Sequence, residues 1–490
     1  MSNSVLKKDL IEIIKDLKEG KVSSEGLTLA CFDQIKKHDE KIGSILWLNQ
    51  EKSLEQARAS DARRKNKQAL SDLDGVPIAI KDMILSTDFI SSAASKILEG
   101  YISPYDSTVV KNLRKSGVVM LGKTNQDEFA MGSSNESSAY KICRNPWNEN
   151  HSPGGSSGGS AACVSAGMAY GSLGTDTGGS IRQPAAFCGL VGIKPSYGRV
   201  SRFGIIAFAS SLDQVGPMAK STKGCAKLLS AIAGYDPCDS TSSNLPVPDY
   251  AALIKPDVKN KKVGVPKEYF SKGLSDYMKA SVDKSIEILE KNGAQIVEIS
   301  LPHTKYAIAT YYIIATAEAS SNLSRYDGVR FGPRLGDNKN LLSMYEETRG
   351  HLFGTEVKRR IILGTYVLSA GYYEAYYLQA QKVRRLFAND FNNAFKEVDL
   401  IISPTTPTSA FSLGSKSKDP LEIYLNDIYT ISANLAGLCA ISVPCGLDNN
   451  GLPLGTQLMA RPFDEQTLFD ASFLLEQNLG FDPHPKMLKE

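Results

Sequence analysis

Histidine is scarce in this chain. The 490 residues contain only His38, His151, His303, His351 and His484, and none belongs to an HExxH pair or to a Cys/His ligand spacing. That scarcity weakens two common routes to hydrolysis, a histidine-based nucleophile triad and a metal-bound water. The eight cysteines are scattered without a CxxC, mostly among apolar or small neighbours. They fit reduced core residues of a cytosolic protein, not a disulfide framework or a metal knuckle. No stretch reaches the roughly eighteen uninterrupted apolar residues of a membrane span. The opening MSNSVLKKDLIEIIKDL interleaves acids and bases where a signal peptide would be apolar, so neither secretion nor a membrane span is expected. Strong charge is missing as well: 56 basic against 53 acidic residues leave +3. No global field for nucleic acid or a membrane surface is encoded.

What is present is an ordinary globular composition, 42% apolar and 22% charged. The length allows several domains or one large α/β domain with additions. Residues 5–18 place Val5, Leu6, Leu10, Ile13, Ile14 and Leu17 on one helical face ahead of Gly20. Further helices are expected near 24–37 and 52–65, so residues 1–70 read as an N-terminal helical layer. Residues 71–490 then form the main domain, in one compact unit with that layer. It begins with the Asp74-Gly75 turn and a short apolar strand over 76–80 that ends on Lys81-Asp82. A helix over 106–114, a strand over 118–121, an apolar helix after Gly158, a strand over 191–194 and a helix over 222–232 capped by Ser221 continue the alternation. Such alternation predicts an α/β sheet with helices on its faces. The Pro-, Asp- and Ser-rich stretch 236–257 reads as a long surface connection. Strands over 261–265 and 295–299 flank a helix over 274–292, a long helical region spans 355–387, and strands follow at 399–403 and 440–444.

The chemistry concentrates in the Gly/Ser-rich run 153–184, which carries two hydroxyl-bearing turns, GGSSGGS at 154–160 and TGGS at 177–180. Glycines beside a serine let backbone amides approach a ligand closely. Such a turn can expose a serine oxygen while its own amides face a developing oxyanion. A flexible linker is the weaker reading, because apolar residues resume directly after each turn. Three constellations compete for the role of active site. A Ser-His-Asp triad around Ser180 needs a histidine, and the nearest, His151, reads as a surface residue ahead of Ser152-Pro153. The segment GVVMLGKT at 117–124 fits the Walker A spacing of a P-loop ATPase at every fixed position. In a working P-loop, however, the strand precedes the first glycine and the four variable positions form the phosphate loop. Here those positions are Val-Val-Met-Leu, the strand itself, and the match is a coincidence. The third arrangement pairs a serine with a lysine base. Lys81, at the end of an apolar strand, suits a desolvated amine that accepts a proton, although on these residues alone a strand-end lysine paired with Asp82 is the better reading.

The combined pattern resembles the amidase signature family. The residues that carry it are GVPIAIKD at 75–82, the run 153–162, and GTDTGGSIRQP at 174–184. The stretches 122–132, 192–202 and 208–214 resemble, within that family, the glutamine-hydrolysing subunits of tRNA-dependent amidotransferases. The resemblance runs from the N-terminal helices to about residue 478. It implies an α/β amidase signature fold, a mixed central sheet with helices on both faces. It also implies a Ser-cisSer-Lys triad, with Ser180 as acyl-ester nucleophile and Ser156 and Lys81 as the proton relay. The amides of Thr177, Gly178 and Gly179 are implied as the oxyanion hole, Arg360 and Asp427 as the partners of the glutamine α-carboxylate and α-amino group, and Tyr311 as part of the same pocket. The open alternative for Arg359-Arg360 is a solvated helix face. The resemblance implies no cofactor on this chain. It implies that ATP and Mg are used on a partner B subunit, that tRNA is contacted through that same partner, that a small C subunit completes a heterotrimer, and that the location is cytoplasmic. A free-standing amidase for small amides is the alternative within the same chemistry.

Overall fold

The structure, a computed structural model, describes residues 4–270, 273–336, 340–415 and 425–489. Eleven strands among them form one mixed sheet: β1 (Ile45–Leu48), β2 (Pro77–Lys81), β3 (Val119–Thr124), β4 (Ser172–Asp176), β5 (Val191–Lys194), β6 (Gln214–Ala219), β7 (Lys262–Pro266), β8 (Gln295–Ile299), β9 (Leu400–Pro404), β10 (Cys439–Leu447) and β11 (Pro453–Ala460). Their spatial order is β1-β3-β2-β4-β6-β5-β10-β11-β9-β7-β8. β2 lies parallel to both β3 and β4, whereas β4 and β6 run antiparallel. Every residue of β2, β3 and β4 is buried, which requires cover on both faces of the sheet. Helices Ser24–Ile42, Gly158–Ser165, Thr222–Ile232 and Glu465–Leu479 pack against it. One apolar cluster runs from Val5 through Ile78 and Leu173 to Leu475, so the N-terminal helices share the core of the sheet.

Several expected elements change form for identifiable reasons. The helix expected over 5–18 divides into Ser4–Lys7 and Leu10–Lys18. Asp9 restarts it as an N-cap: the Asp9 carboxylate accepts from the Glu12 N–H at 2.7 Å, and the Glu12 carboxylate accepts from the Asp9 N–H at 2.8 Å. The N-terminal layer is not purely helical, because β1 joins the sheet beside β3. The connection 236–257 includes a short helix, Tyr250–Leu253, whose buried Tyr250 donates its hydroxyl to Glu465 at 3.1 Å. The long helical region is broken into Thr355–Val367, a π-helical turn Tyr373–Leu378 and Gln379–Glu397, with Gly371 at φ +84° in the break. Seven cysteines are buried and Cys238 is exposed, all of them free. No helix among the described residues is long and apolar enough to cross a membrane.

Candidate active site

β2 delivers Lys81 into the core. The apolar run Ile78-Ala79-Ile80 is fully buried, and Lys81 follows it with no exposed surface. Its Nζ donates to three hydroxyls, Ser156 Oγ at 2.7 Å, Thr175 Oγ1 at 2.8 Å and Ser157 Oγ at 2.9 Å. No carboxylate among the described residues bonds to it. Burial lowers its pKa from the ordinary 10.5 to about 7, against the weaker pull of Asp127, Asp176 and Asp213. The alternative pairing with Asp82 does not occur: that carboxylate accepts from the N–H groups of Ser92 and Ala94 and from Ser92 Oγ.

The first glycine-serine turn meets this amine through Ser156 and Ser157, and the second turn is bonded to the first. The Gly155–Ser156 peptide is cis. Asp127 holds this turn from one side, its N–H donating to the Ser156 carbonyl at 3.2 Å. Gln183 holds it from the other, accepting from the Gly155 N–H at 2.8 Å. The second turn leaves the end of β4, and the Ser180 carbonyl accepts from the Ser157 N–H at 3.2 Å. Between Ser152 and Ser196 every residue is buried except Ser180. A partly exposed serine thus stands in an otherwise buried stretch. The turn is fixed by the buried Asp176–Arg182 pair at 3.0 Å, with Arg182 also donating to Asn434 Oδ1, Gln457 Oε1 and the Thr430 carbonyl. Burial pushes the Asp176 carboxyl up, but the Arg182 guanidinium overrides it and holds the group well below the usual carboxylate range.

The backbone amides expected to meet an oxyanion are not alike. The Gly178 N–H has no protein partner among the described residues, whereas the Gly179 N–H donates to Asp176 Oδ1 at 2.8 Å. Gly179 sits at φ +133°, and a Cβ there would stand 2.2 Å from Thr430 Oγ1. Thr177 is anchored through its hydroxyl, which donates to Asp213 Oδ1 at 2.7 Å. Burial raises the Asp213 pKa to about 6.

The outlying expected residues gather beside this turn. Tyr311, on helix Ala307–Asn322, lays its ring so close to Gly178 that a Cβ there would lie 2.8 Å from it. Arg360, on helix Thr355–Val367, is 4% exposed, its Nε donates to Glu356 Oε1 at 2.8 Å, and its guanidinium faces the rings of Tyr312 and Phe208. The solvated-face reading therefore fails for Arg360 and describes its neighbour Arg359, which is exposed. Gly364 of the same helix packs against the Tyr311 helix, where a Cβ would meet the Thr316 carbonyl oxygen at 1.9 Å. Asp427 is buried and accepts from Ser133 Oγ at 2.5 Å. Burial raises its pKa to about 7, opposed by the Ser133 bond and the charge of Arg360.

The other two constellations dissolve. Lys123 is fully buried within β3, donating to the Ile84 carbonyl and to Ser91 Oγ. Residues 119–124 are strand, so no loop is available to cradle phosphate. His151 is half-buried in an isolated bridge, with its Nε2 at 3.4 Å from Ser412 Oγ and not on Ser180. Sequence reasoning missed Ser157, Thr175, Asp176, Arg182 and Asp213. The first four lie inside the Gly/Ser and GTDTGGSIR motifs, where their hydroxyl and charge are visible signals. Asp213 gives none beyond its place in FASSLDQ.

A buried lysine held by the hydroxyls of a glycine-serine turn on a mixed sheet is an arrangement suited to amide hydrolysis. A family model described as Amidase matches residues 26–469, and the chain belongs to that family. It is 55% identical over 465 residues, 95% of this chain and 94% of the relative, to the A subunit of the glutamyl-tRNA(Gln) amidotransferase of Anaeromyxobacter sp. strain K. To its counterpart from Myxococcus xanthus strain DK1622 it is 53% identical over 472 residues, 96% and 97% of the two chains. Among solved structures it is similar to the A subunit of the Thermotoga maritima glutamyl-tRNA(Gln) amidotransferase, with TM-score 0.80, 42% identity and coverage of 96% of this chain and 95% of the other. It is also similar to the peptide amidase of Stenotrophomonas maltophilia, with TM-score 0.83, 30% identity and coverage of 98% of this chain and 99% of the other.

Proposed function

We propose that this chain hydrolyses glutamine as the A subunit of a tRNA-dependent amidotransferase. The observation that carries the reading is the buried Arg360 guanidinium and the buried Asp427 carboxyl, both on the Tyr311 side of the serine turn. A guanidinium suits an α-carboxylate and a carboxylate suits an α-ammonium, so the two ends of an amino acid are read while its side-chain amide lies at Ser180. Neutral Lys81 takes the Ser180 proton through Ser156 as Ser180 Oγ attacks the amide carbon. The oxyanion forms against the turn amides of Thr177 and Gly178, with Gly179 shaping the turn. Collapse breaks the C–N bond, the relay returns the proton to the leaving nitrogen, and ammonia departs. Water then releases glutamate by the same relay.

The ammonia serves a partner B subunit, which uses ATP and Mg to amidate glutamate carried on tRNA(Gln), with a C subunit completing a cytoplasmic heterotrimer. The near-neutral charge of +3 supports leaving tRNA contact to the B subunit. The likeness to a peptide amidase keeps a free-standing amidase as the second reading, but such an enzyme has no need of both Arg360 and Asp427. The test is a glutamine-hydrolysis assay on the purified chain, with and without co-expressed B and C subunits and charged tRNA. Strong stimulation by the assembly is expected. Full activity of the lone chain, unchanged by partners, overturns the reading in favour of the free-standing amidase.

A further inference from the structure

The helix that carries Arg360 is held at its start by a buried acid outside the machinery described so far. Glu128 is 2% exposed and lies between Asp127 and Phe129 in a segment where Phe129 and Ala130 adopt φ +49° and +60°. Its carboxylate accepts from Ser95 Oγ at 2.5 Å and from the Gly354 N–H at 2.9 and 3.1 Å. Gly354 is the N-cap of helix Thr355–Val367, and a Cβ on it would lie 2.2 Å from Glu128 Oε2. The approach is possible only to glycine. A carboxylate at that end also meets the positive pole of the helix. The preceding residue, Asp127, holds the Ser156 carbonyl through its N–H, and its own carboxylate accepts from Asn135 N–H at 2.9 Å and Ser137 Oγ at 2.7 Å. Two adjacent acids thus tie the catalytic turn and the Arg360 helix to one rigid segment.

We propose that Glu128 is a positioning residue for substrate selectivity, setting the reach of Arg360 toward the substrate carboxylate by clamping Gly354. The inference rests on the reading of Arg360 as the α-carboxylate partner. Releasing the clamp leaves Arg360 attached to its helix but free to shift along the helix axis, and a misplacement of about 1 Å costs a positioning group roughly 100-fold. Glu128→Gln keeps the volume and one acceptor, while Gly354→Ala keeps the acid and displaces it sterically.

The experiment measures kcat and KM of both variants in the assembled complex, on glutamine and on γ-aminobutyramide, which is glutamine without its α-carboxylate. For each variant we expect KM for glutamine to rise at least about tenfold with kcat changed far less. The preference for glutamine over γ-aminobutyramide falls by the same factor, and the double variant is no worse than the poorer single one. Equal losses on both amides, or an unchanged preference, overturn the proposal and leave Glu128 a purely structural group. Arg360→Ala separates this failure from failure of the underlying reading. If it too leaves the preference unchanged, the assignment of Arg360 falls, and if only it lowers the preference, the clamp alone is rejected.

Discussion

Lys81 offers the most direct perturbation, because its burial fixes both the sign and the position of a pH effect. Hydroxyls but no carboxylate among the described residues lie within hydrogen-bond reach, and burial brings its pKa from 10.5 to about 7. If the neutral amine is the base, the rate of ester formation at Ser180 rises about tenfold per pH unit below that value and levels off above it. Lys81→Arg keeps the positive charge but cannot be deprotonated, so it should lose at least about 100-fold at every pH. The same burial has a consequence for stability. Below about 7 both folded and unfolded chains carry the Lys81 proton, and the folded one bears the full cost of burying it. As pH rises from about 7 to 10.5 the unfolded chain binds more protons than the folded one, so stability from this group rises across that window. The difference amounts to roughly 5 kcal/mol. Lys81→Met, inactive, is therefore expected to unfold at a higher denaturant concentration than the parent in mildly acidic buffer. The assay is single-turnover ammonia release across a pH series at constant ionic strength, paired with urea unfolding of Lys81→Met. A flat rate profile, or Lys81→Arg within tenfold of the parent, refutes the reasoning about the base, and a less stable Lys81→Met refutes the reasoning about burial.

Ser180→Ala should abolish glutamine hydrolysis with unfolding unchanged within about 0.5 kcal/mol, as expected for loss of one hydroxyl from a partly exposed side chain; mass spectrometry that finds a glutamyl adduct on another residue would sink the nucleophile assignment. Gly179→Ala forces a Cβ to 2.2 Å from Thr430 Oγ1 at φ +133°, and thermal unfolding should report a loss of about 1–3 kcal/mol together with lost activity. Lys123→Met leaves the Ile84 carbonyl without its donor and Asp82 without its neighbouring cation. It should destabilise by about 1–3 kcal/mol, while calorimetry finds no ATP binding by either the parent chain or the variant.

The site is legible in the sequence where a motif carries its own chemistry. The strand ending on Lys81 and the two Gly/Ser turns stand out because an apolar run, a lysine and glycine-flanked hydroxyls each state a physical requirement, while the roles of base and nucleophile come from the family resemblance. What stays hidden is long-range or atypical. β4 is SLGTD and β6 is QVGPMA, with Gly and Pro where strand patterns favour branched residues. They form anyway because burial and close backbone approach decide, not propensity: a Cβ at Gly216 would meet the Ile193 carbonyl at 2.1 Å. The Lys81–Thr175 bond joins residues 94 apart, and Ser133–Asp427 joins residues 294 apart. No local spacing encodes either. The false Walker A is set aside by asking which residues have to be strand. The break in the helical region at Gly371 escapes a sequence reading because the surrounding Tyr- and Leu-rich stretch is compatible with a continuous helix.

The contact between Gly364 and the Thr316 carbonyl says something about how this enzyme's substrate range can change. Tyr311 and Arg360 stand on two helices touching main chain to main chain, so the gap between them is gauged by backbone spacing and not by side-chain bulk. A gap gauged by side chains is widened by trimming one of them. Here there is no side chain at the contact to trim, and any residue larger than glycine at 364 forces the helices apart where they touch. Mutational libraries confined to pocket side chains are therefore expected to exchange one polar end-group for another without admitting a broader substrate.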